Sequence, residues 1–170
     1  MKLFTVGPVE MYQRTLDLGA NNIPYFRTTE FSALMQDTDQ LLKRIVRTEN
    51  SSQVVYLTAS GTAAMEATVM NCFTEKDKLL IISGGTFGKR FEQICKIHNY
   101  FYDVIELQLG EAFSKEKLQC YENKGYTGLL VNLHETSTGQ LYDRSIIKDF
   151  CKRNQSVPIP FREDFSSAHP

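Results

Sequence analysis

Phe31, Leu34, Met35, Thr38, Leu41, Leu42, Ile45 and Val46 recur at the i, i+3, i+4, i+7 spacing of one helical face, which predicts a long amphipathic helix. Thr29 is its expected N-cap, and Glu30 suits the positive end of the dipole. Ahead of it, Gly7-Pro8, Gly19 and Pro24 break any period. Residues 1–25 are therefore expected to be irregular.

From residue 53 the pattern changes to an alternation of short apolar runs and helical periods. Residues 54–58 (Val54, Val55, Tyr56, Leu57, Thr58) read as a strand, and 62–73 as a helix rich in small residues. A second strand is expected over 79–83, then a helix with Phe87, Phe91, Ile94, Cys95 and His98 on one face. A third strand over 104–107, a short helix over 115–121 and a fourth strand over 128–133 follow. Asp143 is placed to cap a helix through Ile146, Ile147, Phe150 and Cys151, with Lys152 and Arg153 at its negative end. Strand–helix alternation implies βαβ units, and short continuous apolar strands imply a sheet covered on both faces. The expected class is α/β, a mostly parallel sheet flanked by helices.

At 170 residues, 42% hydrophobic and 23% charged, the chain fits one domain with a real core. Lysine and arginine number 19 against 20 aspartates and glutamates, a balance that argues against a dedicated nucleic-acid binder. No apolar run reaches the ~18–20 residues of a membrane span, and the start is too short in apolar residues for a signal peptide. The expectation is a soluble, cytoplasmic protein. Cys72, Cys95, Cys120 and Cys151 form no C-x-x-C pair, so no zinc or redox motif is expected, and Cys95 and Cys151 read as buried thiols.

Ligands of open α/β sheets bind beyond the carboxyl ends of the strands, and three segments fall there. Ser60-Gly61-Thr62 sits at a strand-to-helix turn, where free amides, a glycine and two hydroxyls suit a phosphate; an ordinary helix cap would look the same. Gly84 to Arg90 fails as a P-loop because Ser83 and Arg90 stand where glycine and Ser/Thr are required. It does offer Phe87, either a ring for stacking on a flat cofactor or the start of the helix's apolar stripe. His134-Glu135 is not a zinc-protease helix, since Thr138 replaces the second histidine. The Thr136-Ser137-Thr138-Gly139 turn can set hydroxyls against a ligand.

Taken together and in order, Gly7-Pro8-Val9, Ala59-Ser60-Gly61-Thr62-Ala63-Ala64-Met65-Glu66-Ala67, Gly85-Thr86-Phe87-Gly88-Lys89-Arg90 and His134-Glu135-Thr136-Ser137-Thr138-Gly139 resemble class V pyridoxal-phosphate aminotransferases. The likeness is greatest to the alanine–glyoxylate and 2-aminoethylphosphonate–pyruvate types and runs from about residue 4 to 154. It implies part of the large domain of a fold-type I transferase: an arm over 1–25, a partial cofactor-binding domain over 26–155 and an atypical tail over 156–170. By position it implies that Ser60, Gly61 and Thr62 hold the phosphate of pyridoxal 5′-phosphate, that Phe87 stacks on its ring and that Thr136 hydrogen-bonds it. His134 and Glu135 would shape the turn, and Gly7, Pro8 and Arg27 would face the substrate. The implied partners are a small amino acid or aminophosphonate donor, a 2-oxo acid acceptor and a second copy of the chain in a homodimer.

The resemblance also carries departures. The family aspartate that pairs with the pyridine nitrogen falls near Phe161, with Asp164 about three residues late. Pro158 and Pro160 stand where a central strand is expected, which they should interrupt. No lysine follows Lys152, so the lysine of the family's Schiff base is missing, as are its carboxylate-gripping arginine and its small domain. The expectation is a truncated aminotransferase that cannot turn over alone, with a non-catalytic phosphate-binding, cofactor-binding or scaffold protein as the alternative.

Overall fold

A computed structural model describes residues 10–161, and the chain divides into two compact units that meet in sequence between Leu57 and Thr58. Gly7, Pro8 and Asp164 lie outside the described residues.

The first unit holds two helices. Helix α1 (Gln13–Gly19) lies in a stretch expected to be irregular, and each of its residues is exposed. Its support is local: Gln13 Nε2 donates to Asp17 Oδ1 one turn on, at 2.9 Å. Helix α2 (Thr29–Val46) matches the predicted periodicity, but Thr28, not Thr29, is the N-cap: its Oγ1 accepts from Phe31 N at 3.2 Å. Phe31, Met35, Thr38 and Leu42 are half-buried along one stripe. The expected strand at 54–58 is absent. Val55, Tyr56 and Leu57 are exposed, and the Tyr56 hydroxyl donates to Asp39 Oδ1 at 2.7 Å. An apolar run becomes a strand only when a neighbour supplies its ladder, and none of the described strands pairs with this one.

The second unit is the α/β layer structure that the alternation predicts. Its helices and strands are α3 (Gly61–Cys72), β1 (Lys78–Ser83), α4 (Thr86–Ile97), β2 (Phe101–Glu106), α5 (Lys115–Gln119), β3 (Gly128–Asn132), β4 (His134–Glu135), β5 (Gln140–Leu141), α6 (Arg144–Asn154) and β6 (Val157–Phe161). Four strands form a parallel sheet in the order β2-β1-β3-β6, and β4 and β5 make a small antiparallel hairpin.

Alternation along the strands sorts the core into two layers. Leu79 and Ile81 of β1 and Leu130 of β3 pack with Met65 and Val69 of α3 and Phe91, Ile94 and Cys95 of α4. Leu80, Ile82, Leu129 and Val131 face the other way, onto Leu118 of α5 and Ile147, Phe150 and Cys151 of α6. Most are completely buried, each such aliphatic side chain contributing about 1.5–3 kcal/mol. Burial alone pushes the Cys95 thiol up to about 12 and the Cys151 thiol up to about 11. Asp143 caps α6 as predicted, its Oδ1 accepting from Ser145 N at 2.7 Å.

Pro158 and Pro160 do not interrupt β6. Val157 N donates to Thr127 O at 2.8 Å, and the register runs on to Phe161 opposite Asn132. Successive backbone groups of a strand point to opposite sides, so residues 157, 159 and 161 bond toward β3 while 158 and 160 face away. The missing N–H groups therefore fall on the edge of this sheet, the one place where a strand tolerates proline.

Candidate active site

The strand order reverses between β1 and β3, since β2 lies to one side of β1 and β3 to the other. At such a switch point the loops leaving the carboxyl ends diverge and open a crevice. Here the β1–α4 loop and the β4–β5 hairpin meet across it.

Glu135 of the hairpin has no exposed surface. Its Oε1 accepts from Phe87 N at 3.2 Å and its Oε2 from Gly88 N at 3.0 Å, while Thr86 N donates to Ser137 Oγ at 2.9 Å. Ser137 Oγ in turn donates to Glu135 Oε1 at 2.6 Å. A helix N-terminus leaves its first amides without acceptors and favours an anion. In α4 that anion is built in. The glycines follow from this approach: a Cβ on Gly85 would lie 2.4 Å from Ser137 Oγ and 2.5 Å from Glu135 Cδ, and one on Gly88 would lie 2.6 Å from Ser83 Cα. Gly85 thus admits the carboxylate of Glu135, while Gly84 makes room for the Tyr142 hydroxyl and Gly88 for the backbone of β1.

The N-terminus of α3 is the contrasting case. Ser60, in extended conformation, is the N-cap, its Oγ accepting from Ala63 N at 3.2 Å and its carbonyl from Ala64 N at 3.2 Å. Gly61 N and Thr62 N open the helix and have no acceptor within it. Ser60 and Gly61 are exposed, and Thr62 is half-buried. Thr62 Oγ1 accepts from Arg90 Nη1 of α4 at 2.5 Å. Among the described residues the buried Arg90 Nε has no hydrogen-bond partner, and the guanidinium carbon lies 5.7 Å from the centroid of the Phe87 ring. Two amides without an acceptor among the described residues, two hydroxyls and a guanidinium fit a phosphate group.

Phe87 is half-buried in the first turn of α4 and packs against the Met65–Phe91 layer. Thr136, half-buried, sits between Glu135 and Ser137 in the turn facing α4. Arg27 belongs to the first unit, where its guanidinium lies 5.0 Å from the Phe26 ring centroid. An open cavity of about 370 Å³ at the ends of β1 and β2 is walled by Ser83, Thr86, Lys89, Glu106 and Ser137 among others. Ser60, Gly61 and Thr62 are not in its wall. Tyr142, below Gly84, is pushed up to about 12 by burial and then by the Glu135 charge. Sequence reasoning missed Arg90 and the capping role of Glu135. Both act across 28 to 48 positions of chain, and local spacing carries no signal for such a contact.

No family model matches the chain. It is 30% identical over 163 residues to the soluble hydrogenase 42 kDa subunit of Anabaena cylindrica, covering 94% of this chain and 42% of that protein. It is 33% identical over 141 residues to an uncharacterized aminotransferase of Methanocaldococcus jannaschii, covering 81% of this chain and 36% of that one. Among solved structures, the alanine–glyoxylate aminotransferase of Nostoc sp. aligns with a TM-score of 0.82 at 27% identity, over 91% of this chain and 41% of that one. The chain thus spans well under half the length of the relatives it matches. Its homologues and structural neighbours include class V aminotransferases, matched along their N-terminal part. The resemblance and the α/β fold are borne out together.

Proposed function

We propose that the chain is the part of a class V aminotransferase that receives the phosphate and ring of pyridoxal 5′-phosphate. One observation carries the reading: Glu135 fills the N-terminus of α4, whereas among the described residues no acceptor meets Gly61 N or Thr62 N of α3, where Thr62 Oγ1 is held by Arg90. Gly61 N and Thr62 N would donate to phosphate oxygens, and the Ser60 and Thr62 hydroxyls would add two more bonds. Phe87 would lie on one face of the ring, its backbone fixed by Glu135, and Thr136 would reach a ring substituent. Gly7, Pro8 and Arg27 are proposed on the substrate side, and Asp164 as the partner of the pyridine nitrogen. The bound cofactor supplies the electron sink through which an amino group passes from donor to acceptor.

The substrates proposed for the whole protein are a small amino acid or aminophosphonate and a 2-oxo acid, with a homodimer in the cytoplasm as its working form. No lysine follows Lys152. For these 170 residues the proposal is therefore binding and orientation rather than turnover.

Pyridoxamine 5′-phosphate tests it, because an amine does not condense with surface lysines as an aldehyde would. Calorimetric titration should show binding that inorganic phosphate competes away. Gly61→Asp, which sets a carboxylate at the open helix end, should abolish it. Undiminished binding by that variant would place the ligand elsewhere and overturn the proposal.

A further inference from the structure

The geometry points to Arg90 as a positioning residue for the cofactor phosphate, acting through the hydroxyl of Thr62; this rests on the reading of the α3 N-terminus given above. A threonine hydroxyl has one proton and two lone pairs, whereas a guanidinium only donates. Because Arg90 Nη1 donates to Thr62 Oγ1 at 2.5 Å, one lone pair is occupied and the Thr62 proton cannot return to Arg90. Thr62 opens the helix, so no carbonyl one turn earlier in the helix takes that proton either. The proton is thus held free to donate to an acceptor at the helix end, beside the orphan amides of Gly61 and Thr62. Donation from a charged group also polarises the hydroxyl and strengthens the bond it gives.

Arg90 is placed for this by α4, whose first turn is fixed by Glu135. Among the described residues no carboxylate forms an ion pair with it, and its Nε is buried without a partner. A half-buried cation without a counter-ion is costly when it serves packing alone. It is favourable when a dianion is to arrive one group away. Arg90 also lies over Phe87, so a single side chain ties the phosphate end of the site to the ring end.

The test compares pyridoxamine 5′-phosphate with pyridoxamine, which lacks the phosphate, on the full chain and on Arg90→Gln, Arg90→Lys, Thr62→Val and the double variant R90Q/T62V. Arg90→Gln should weaken the phosphorylated ligand about tenfold, as expected for a lost charge-assisted hydrogen bond, and leave pyridoxamine unchanged. Arg90→Lys should restore part of the loss. In the Thr62→Val background Arg90→Gln should add less than about threefold, because the route through the hydroxyl is already gone. Equal weakening of both ligands would make Arg90 a packing residue, and fully additive losses would remove Thr62 from the route; either overturns the inference. A wild-type chain with no preference for the phosphorylated ligand removes the functional reading and this inference together. A preference that survives Arg90→Gln removes this inference alone. Should Arg90→Gln fail to fold by circular dichroism, the Arg90→Lys and Thr62→Val pair decides by the same two ligands.

Discussion

Glu135 Oε2 accepts a hydrogen bond from Gly88 N at 3.0 Å, although 47 positions separate the two residues. This contact locks the β4–β5 hairpin to the first turn of α4 and gives that helix a carboxyl cap from its own chain.

Removing the cap should be costly. Glu135→Ala strands the N–H groups of Phe87 and Gly88 and the hydroxyl of Ser137, and should destabilise the chain by about 3 kcal/mol. Glu135→Gln keeps one acceptor and should cost about half as much. Urea unfolding measures both, and equal midpoints for the two variants would contradict the bidentate role.

The glycine that admits the carboxylate should be equally intolerant. Gly85→Ala puts a methyl group within 2.5 Å of Glu135 Cδ and should cost about 1–3 kcal/mol. Gly19→Ala, with nothing near its added carbon, should stay within about 0.5 kcal/mol of wild type. Thermal melts of the pair check the contrast.

Thiol labelling reads the two core layers. Cys72 and Cys120 are exposed, whereas Cys95 and Cys151 are buried, with their thiols pushed up to about 12 and about 11 by desolvation. A disulfide reagent at pH near 8 should modify Cys72 and Cys120 quickly and the other two only after unfolding. Fast reaction of all four would mean that the layers are open.

Asp103 supplies a pH signature. The Tyr126 hydroxyl, donating at 2.6 Å, and then Lys78 at 3.0 Å hold its carboxyl below the ordinary range. A carboxyl held low in the native state stabilises it above the unfolded pKa, and that contribution is lost as pH falls through the native value. The advantage of wild type over Tyr126→Phe should therefore be full at neutral pH and narrow below the usual carboxylate range. A gap that stays constant into acid would show that the hydrogen bond is not its source.

Most of the second unit was legible because its signals are local. The apolar runs of β1 and β3 are four and three consecutive residues of Leu, Ile and Val, and Asp143 caps α6 through a residue two positions on. What was not legible depends on partners distant in sequence. Val54 to Leu57 has the composition of a strand but no neighbour to pair with. The prolines of β6 were judged against an interior strand, and only the register with β3 shows that their nitrogens point off the sheet. At the site, the Gly84–Arg90 and His134–Gly139 segments do follow strands, β1 and β3, whereas Ser60-Gly61-Thr62 opens α3 with no strand before it. Which helix end is open could not be read, because the anion filling α4 comes from the hairpin.

The outer side of β6 has a further property. Its carbonyls at Pro158 and Pro160 point outward, yet it offers no donor between them. Any strand laid along that side would have to give every hydrogen bond there and receive none. Two copies brought together by this edge would set oxygen against oxygen. Among the described strands, two prolines thus leave the outer side of β6 unable to pair with a copy of itself.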